Sequence, residues 1–239
     1  MNKFHKRLAL SLVFFICVLI GSAQNYASDS QLWCYLSLQK KLNKKFDLHL
    51  KLQGRMINNS SELGRASSNF RISYKVYKNI KLLIGYNFTE KKNNKEIYKP
   101  RHTYYGGIEL KKDFRRFEFS YRNLFMCRYK SPFTSYDGYI AYYYDRHKVT
   151  IKYEVSKRLS CYIAEEVNMP LNNPQLKGLS RSRTYAGVDI NVKKHQKLEL
   201  YFMYQQQLQQ GDWFNQDISY TGKPLHQYFV YGIGYNISF

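Results

Sequence analysis

The chain has 239 residues, 38 Lys or Arg against 17 Asp or Glu, a net charge of +21, and 24 Tyr within an aromatic share of 17%. Mean hydropathy is −0.56, and beyond residue 23 no apolar run approaches the roughly 18 residues that a helical membrane span needs. Helical spans are thereby excluded past the leader, and so many tyrosines in so polar a chain fit aromatic girdles around a polar lumen better than a soluble core.

Lys3, Lys6 and Arg7 open the chain, residues 8–20 are apolar apart from Ser11, and Gly21-Ser22-Ala23 follow. A basic, an apolar and a small-residue region in that order predict a secretory signal peptide over residues 1–23, cut after Ala23. Residues 24–239 then form one domain, whose net charge is near +18 once the three leader cations are gone. Export argues against nucleic acid as the partner of this basic surface. Outer-membrane lipid and lipopolysaccharide are the expected partners, and no cofactor or metal is expected.

From there the dominant signal is alternation with period two. Leu32, Cys34, Leu36 and Leu38 alternate with Trp33, Tyr35, Ser37 and Gln39. Leu48, Leu50 and Leu52 alternate with His49, Lys51 and Gln53, and Phe70, Ile72, Tyr74 and Val76 with Arg71, Ser73 and Lys75. Ile80, Leu82, Ile84, Tyr86 and Phe88 follow, then Ile108 and Leu110, then Phe117, Phe119 and Tyr121. Val149, Ile151, Tyr153 and Val155 continue, followed by Leu159, Cys161 and Ile163. Ala186, Val188, Ile190 and Val192 precede Leu198, Leu200, Phe202 and Tyr204. The last strand puts Tyr231, Ile233, Tyr235, Ile237 and Phe239 on one face. Cys34, Cys127 and Cys161 fall on the apolar faces, where they act as small hydrophobes.

Alternation alone fits a sandwich as well as a barrel. The connections decide for the barrel. Those at 40–46, 77–80, 111–116, 156–158 and 193–197 are short, while those at 57–66, 90–101, 128–138, 168–182 and 209–224 are long. Short turns on one side and long loops on the other are the pattern of an antiparallel, up-and-down transmembrane β-barrel, here of about 10–12 strands. Eleven strands are counted, whereas bacterial single-chain barrels are normally even. An extra strand at 216–220 or 136–144, or a segment 24–31 threading the lumen, would restore parity. Asp145 and His147 fall on the lipid face, which leaves the register of their strand open.

Opposite the apolar faces lie Arg55, Arg71, Glu109, Glu118, Arg122, Lys152, Glu166, Arg183, Asp189 and Glu199. These are expected to line the lumen as a charge network. Such a network either fills the interior structurally or sets the preference of a narrow pore for small anionic solutes. A catalytic reading, an outer-membrane lipid-modifying enzyme, has His102 and His226 near the outer rim, with Asp217 and Ser219 in reach, but their spacing matches no nucleophilic motif. An enzyme is not expected.

The closing strand, with its terminal Phe239, resembles the signal read by the barrel-assembly machinery, an expected partner during insertion. Further segments are Trp33, Gln53-Gly54-Arg55, Gly85-Tyr86, Tyr121-Arg122-Asn123-Leu124, Glu165-Glu166 and Arg183-Thr184-Tyr185-Ala186-Gly187. Together they resemble a family of uncharacterised Gram-negative outer-membrane β-barrel proteins, a domain of unknown function. The resemblance implies the fold and the cell outer membrane, and no activity. The chain departs from the family after Arg122, where a charged stretch is replaced by Leu124-Phe125-Met126-Cys127.

Overall fold

The computed structural model describes residues 26–92, 97–130, 141–172, 178–208 and 225–239. The predicted leader, the segment 216–220, Asp217 and Ser219 lie outside the described residues. Period-two sequence produces strands throughout: β1 (Tyr26–Lys41), β2 (Phe46–Ile57), β3 (Glu62–Tyr77), β4 (Ile80–Lys92), β5 (Tyr98–Phe114) and β6 (Phe117–Lys130). They continue as β7 (Tyr142–Glu154), β8 (Leu159–Pro170), β9 (Arg181–Lys193), β10 (Gln196–Gln207) and β11 (Leu225–Ser238). Each pairs antiparallel with its chain neighbours, and the sheet closes on itself.

Closure resolves the parity question in a way the sequence reading did not anticipate. Among the described residues there are eleven strands, and β1 pairs with β11 in parallel, from Tyr26 opposite Leu225 to Gln39 opposite Ser238. A partner of opposite direction is not required, because a parallel ladder consumes the same backbone groups with slanted bonds. In hydrocarbon each unpaired backbone group would cost several kcal/mol. Residues 26–31 belong to β1 and do not thread the lumen. Only β11 pairs with them, since β2 meets β1 from Leu32 onward. The turn after β2 holds their free side: Asn59 N–H donates to Asp29 Oδ1 at 2.7 Å, and Ser60 Oγ to the Ser30 carbonyl at 3.2 Å.

Several connections are shorter than the sequence implied. The first outer one is only Asn58–Ser61, not 57–66. Asn58, Asn59 and Ser60 take φ of 53°, 54° and 64° there, a left-handed run that Asn tolerates unusually well. Strand β5 runs on to Phe114, so the turn predicted at 111–116 shrinks to Arg115 and Arg116. The alternation of short and long connections is therefore not strict.

The outer face carries exposed Leu36, Leu52, Phe70, Ile84, Ile108, Val149, Ile163 and Leu200. Aromatic contacts bracket it. Phe46–Tyr74 and Phe117–Tyr153, each 4.9 Å apart, lie toward the short turns. Tyr86–Tyr104 at 5.1 Å, Phe125–Tyr143 at 5.8 Å and Tyr204–Phe229 at 5.6 Å lie toward the long loops. This arrangement matches the two interfacial girdles of a membrane barrel.

The inner face is packed in two places. Trp33, Ala164, Tyr185, Met203 and Val230 form one buried cluster, and Leu83, Tyr105, Leu124, Met126 and Tyr144 another. The apolar stretch after Arg122 thus divides by parity: Leu124 and Met126 pack inward, while Phe125 stays exposed outside. Beside the seam, a Cβ at Gly234 would sit 2.0 Å from the Tyr35 ring, and one at Gly232 2.0 Å from the Tyr201 ring. These glycines let the rings lie flat against the wall.

Candidate functional site

The alternation of each strand and the registers between strands put all ten of the expected charged residues on the inner face. Three carboxylates organise one sector of it. Glu166 and Arg183, whose side chains are only 4% and 7% exposed, pair at 2.6 Å, and Arg146 Nε approaches Glu166 to 3.7 Å. Arg183 also donates to Gln205 Oε1 at 2.7 Å. Buried ions need such partners, because desolvation is otherwise unrepaid. Asp189 holds Lys152, and Lys197 at 3.1 Å. Glu199 accepts the hydroxyls of Tyr35 and Tyr162. Nearer the short turns, Glu118 pairs with Lys111 at 2.5 Å and Asp47 with Lys81 at 3.0 Å.

The other sector is cationic. Register sets Arg55 directly opposite Arg65, and Arg65 opposite Lys91. Like charges so placed oppose pairing. Among the described residues, no carboxylate lies within 4.0 Å of Lys51, Arg55, Arg65, Arg71, Arg122 or Lys148. Aromatic faces support three of them: Arg55 lies 3.7 Å over Trp33, Lys51 3.5 Å over Tyr35 and Lys148 4.1 Å over Tyr185. Arg55 also donates to Gln53 Oε1 at 3.1 and 2.8 Å. The Nε atoms of Arg71 and Arg122 are buried without a hydrogen-bond partner among the described residues. Glu109 sits in register between Lys81 and Arg122, yet pairs with neither. Chemically, the sector offers guanidinium and ammonium donors with no carboxylate within 4.0 Å among the described residues, beside aromatic faces, although Lys148 stands in register with Glu166 and Arg122 with Glu109.

Of the ten expected residues, Glu166 and Arg183 are thus joined, as are Lys152 and Asp189. Arg55, Arg71 and Arg122 belong to the unpaired sector. The expected set omitted Lys51, Arg65, Arg146 and Lys148, and the rings of Trp33, Tyr35, Tyr162 and Tyr185. Strand parity was the signal for all of them but Arg65, which lay in the stretch 57–66 read as a loop. The histidines of the catalytic reading do not converge. His102 is on the outer face, its Nδ1 2.7 Å from the Tyr86 hydroxyl, while His226 alternates to the other face of β11. Among the described residues no three His, Cys, Asp or Glu are grouped as a metal would need.

The NanC porin, solved in a rhombohedral crystal form, shares this fold. The TM-score is 0.52 at 10% identity, covering 88% of this chain and 99% of that one. At that identity the likeness speaks for the fold alone, a transmembrane β-barrel. No curated protein matches the chain. A family model does, over residues 30–216, and the chain therefore belongs to the family described as protein of unknown function DUF2490.

Proposed function

We propose that this barrel resides in the outer membrane and is a narrow channel for small anionic solutes. The observation that carries the reading is the cationic sector: six lumen cations with no carboxylate within 4.0 Å among the described residues. A network that merely fills a barrel gains most when its charges balance, because an unpaired buried charge is costly. A surplus of fixed cations lining a lumen instead draws anions in and raises their local concentration. The rings of Trp33, Tyr35 and Tyr185 hold the cations in place without neutralising them.

Planar-bilayer recording tests this. Discrete conductance steps are expected, with a reversal potential under a KCl gradient that reports anion preference. A silent membrane at high protein load, or cation preference, would overturn it.

A structural or binding role is the second reading. It is favoured by the cations Lys91, Lys99, Arg101 and Lys130, which the register gathers on the inner face toward the long loops, where an anionic ligand entering from that side would meet them. The basic stretch Lys91-Lys92-Asn93-Asn94-Lys95 would add to this rim, with residues 93–95 outside the described residues. In either reading, the outward row of Tyr231, Ile233, Tyr235, Ile237 and Phe239 is the segment proposed to be read by the assembly machinery through strand addition.

A further inference from the structure

The outer wall of this barrel is largely apolar, and over β6–β9 it carries a polar patch. There Asn123 Nδ2 donates to Asp145 Oδ1 at 2.6 Å, His147 Nε2 lies 3.2 Å from Asp145 Oδ2, and the Tyr121 hydroxyl lies 2.8 Å from His147 Nδ1. Two strands on, exposed Glu165 accepts the hydroxyls of Ser182 and Thr184, the latter at 2.7 Å. Among the described residues no cation approaches Glu165 within 4.0 Å. The two groups are contiguous, since His147 opposes Val167, which opposes Ser182, and Val149 opposes Glu165.

Their depth is what makes them unusual. Asn123 is six residues from Phe117 and seven from Lys130, His147 is five from Tyr142 and seven from Glu154, and Glu165 is six from Leu159 and five from Pro170. All are mid-strand, between the aromatic levels marked by Phe117–Tyr153 and Phe125–Tyr143. Neighbouring outward residues are the exposed Phe125, Val149 and Ile163. Two carboxylates and an imidazole so placed face acyl chains, which solvate them poorly.

We infer that a second copy of this chain covers the patch. Two copies in one membrane share orientation, so a two-fold axis runs along the membrane normal. Placed between β7 and β8, it sets β7 of one copy against β8 of the other, and β6 against β9. His147 of each copy then meets Glu165 of the other at similar depth, and Asn123 and Tyr121 meet Ser182 and Thr184. The patch is self-complementary: each copy supplies one acid without a cation and one imidazole. The opposite wall, with Leu36, Leu52 and Phe70 outward, offers lipid what it prefers and needs no partner. The inference rests on the barrel spanning a membrane and is independent of whether solutes pass.

The test is cysteine cross-linking of the full chain in membranes, with Cys34, Cys127 and Cys161 replaced by Ser. Val149→Cys, beside the proposed axis, is expected to give a dimer with a short bis-maleimide, and Leu52→Cys on the far wall is not. Adding Glu165→Leu and His147→Leu should cut the V149C dimer at least several-fold, while heat-modifiable migration on gels confirms that the barrel still folds. Equal cross-linking at both positions would overturn the inference. So would none at Val149, or a V149C dimer unaffected by the Leu pair. Native mass spectrometry in which only a monomer is found, with lipid retained, would assign the patch to lipid instead.

Discussion

The two sectors of the lumen solve the same problem in opposite ways. Around β8–β10 every inward carboxylate has donors: Glu166 has Arg183 and Arg146, Asp189 has Lys152 and Lys197, and Glu199 has two tyrosines. Around β2 and β3, cations oppose cations, and rings or an amide stand where acids would be. The first arrangement holds the wall together. The second gives up pairing and keeps its charge available to something else. Tyr35 stands at the border, its hydroxyl on Glu199 and its face under Lys51.

Removing an acid from the paired sector should do the most damage. Glu166→Ala strands Arg183 and Arg146 in a buried site, and breaking a buried pair costs about 3–5 kcal/mol. Urea unfolding in lipid vesicles is the measurement. A loss below about 1 kcal/mol would mean that water already reaches these groups as it does a surface pair. Next comes the border. Gly234→Ala drives a methyl into the Tyr35 ring, whose atoms lie 2.0 Å from that position. Overpacking of this kind costs about 1–3 kcal/mol. The same change should alter ion preference, because Lys51 loses its platform. The smallest effect on stability is expected in the cationic sector. Arg55→Gln forfeits the stacking on Trp33 but relieves repulsion from Arg65, so unfolding should move by about 0.5 kcal/mol or less, as at ordinary surface sites. Its signature is instead a fall in anion preference, largest at low ionic strength, since the Debye length drops from about 10 Å at 0.1 M to about 3 Å at 1 M. An Arg55→Gln barrel as destabilised as Glu166→Ala would erase the distinction between the sectors.

Much of this was legible in the sequence because period two maps directly onto the two faces of a wall. The assignment of Leu36, Phe70 and Ile163 outward, and of Arg55, Glu166 and Asp189 inward, needed nothing more. Asp145 and His147 looked like a slipped register only because a lipid-facing acid is unexpected; the strand is in register and the acid is outside. Parity says which side a residue faces but not which residue it meets. Whether Glu109 or Asp189 captures a lysine depends on the stagger between strands. The tight turn at Asn58–Ser61 was hidden for a similar reason: three consecutive left-handed residues are rare, so 57–66 read as a loop. The parallel seam was invisible because strand direction at closure leaves no mark on composition.

That seam also decides where the chain enters and leaves. A barrel with an even number of strands returns to the side on which it started. Here Tyr26 begins β1 beside Leu225, at the long-loop end, and β11 finishes at Ser238 among the short turns. An odd number of crossings leaves Tyr26 and Ser238 on opposite sides of the membrane, so labels at the two ends of this strand series would report on different compartments.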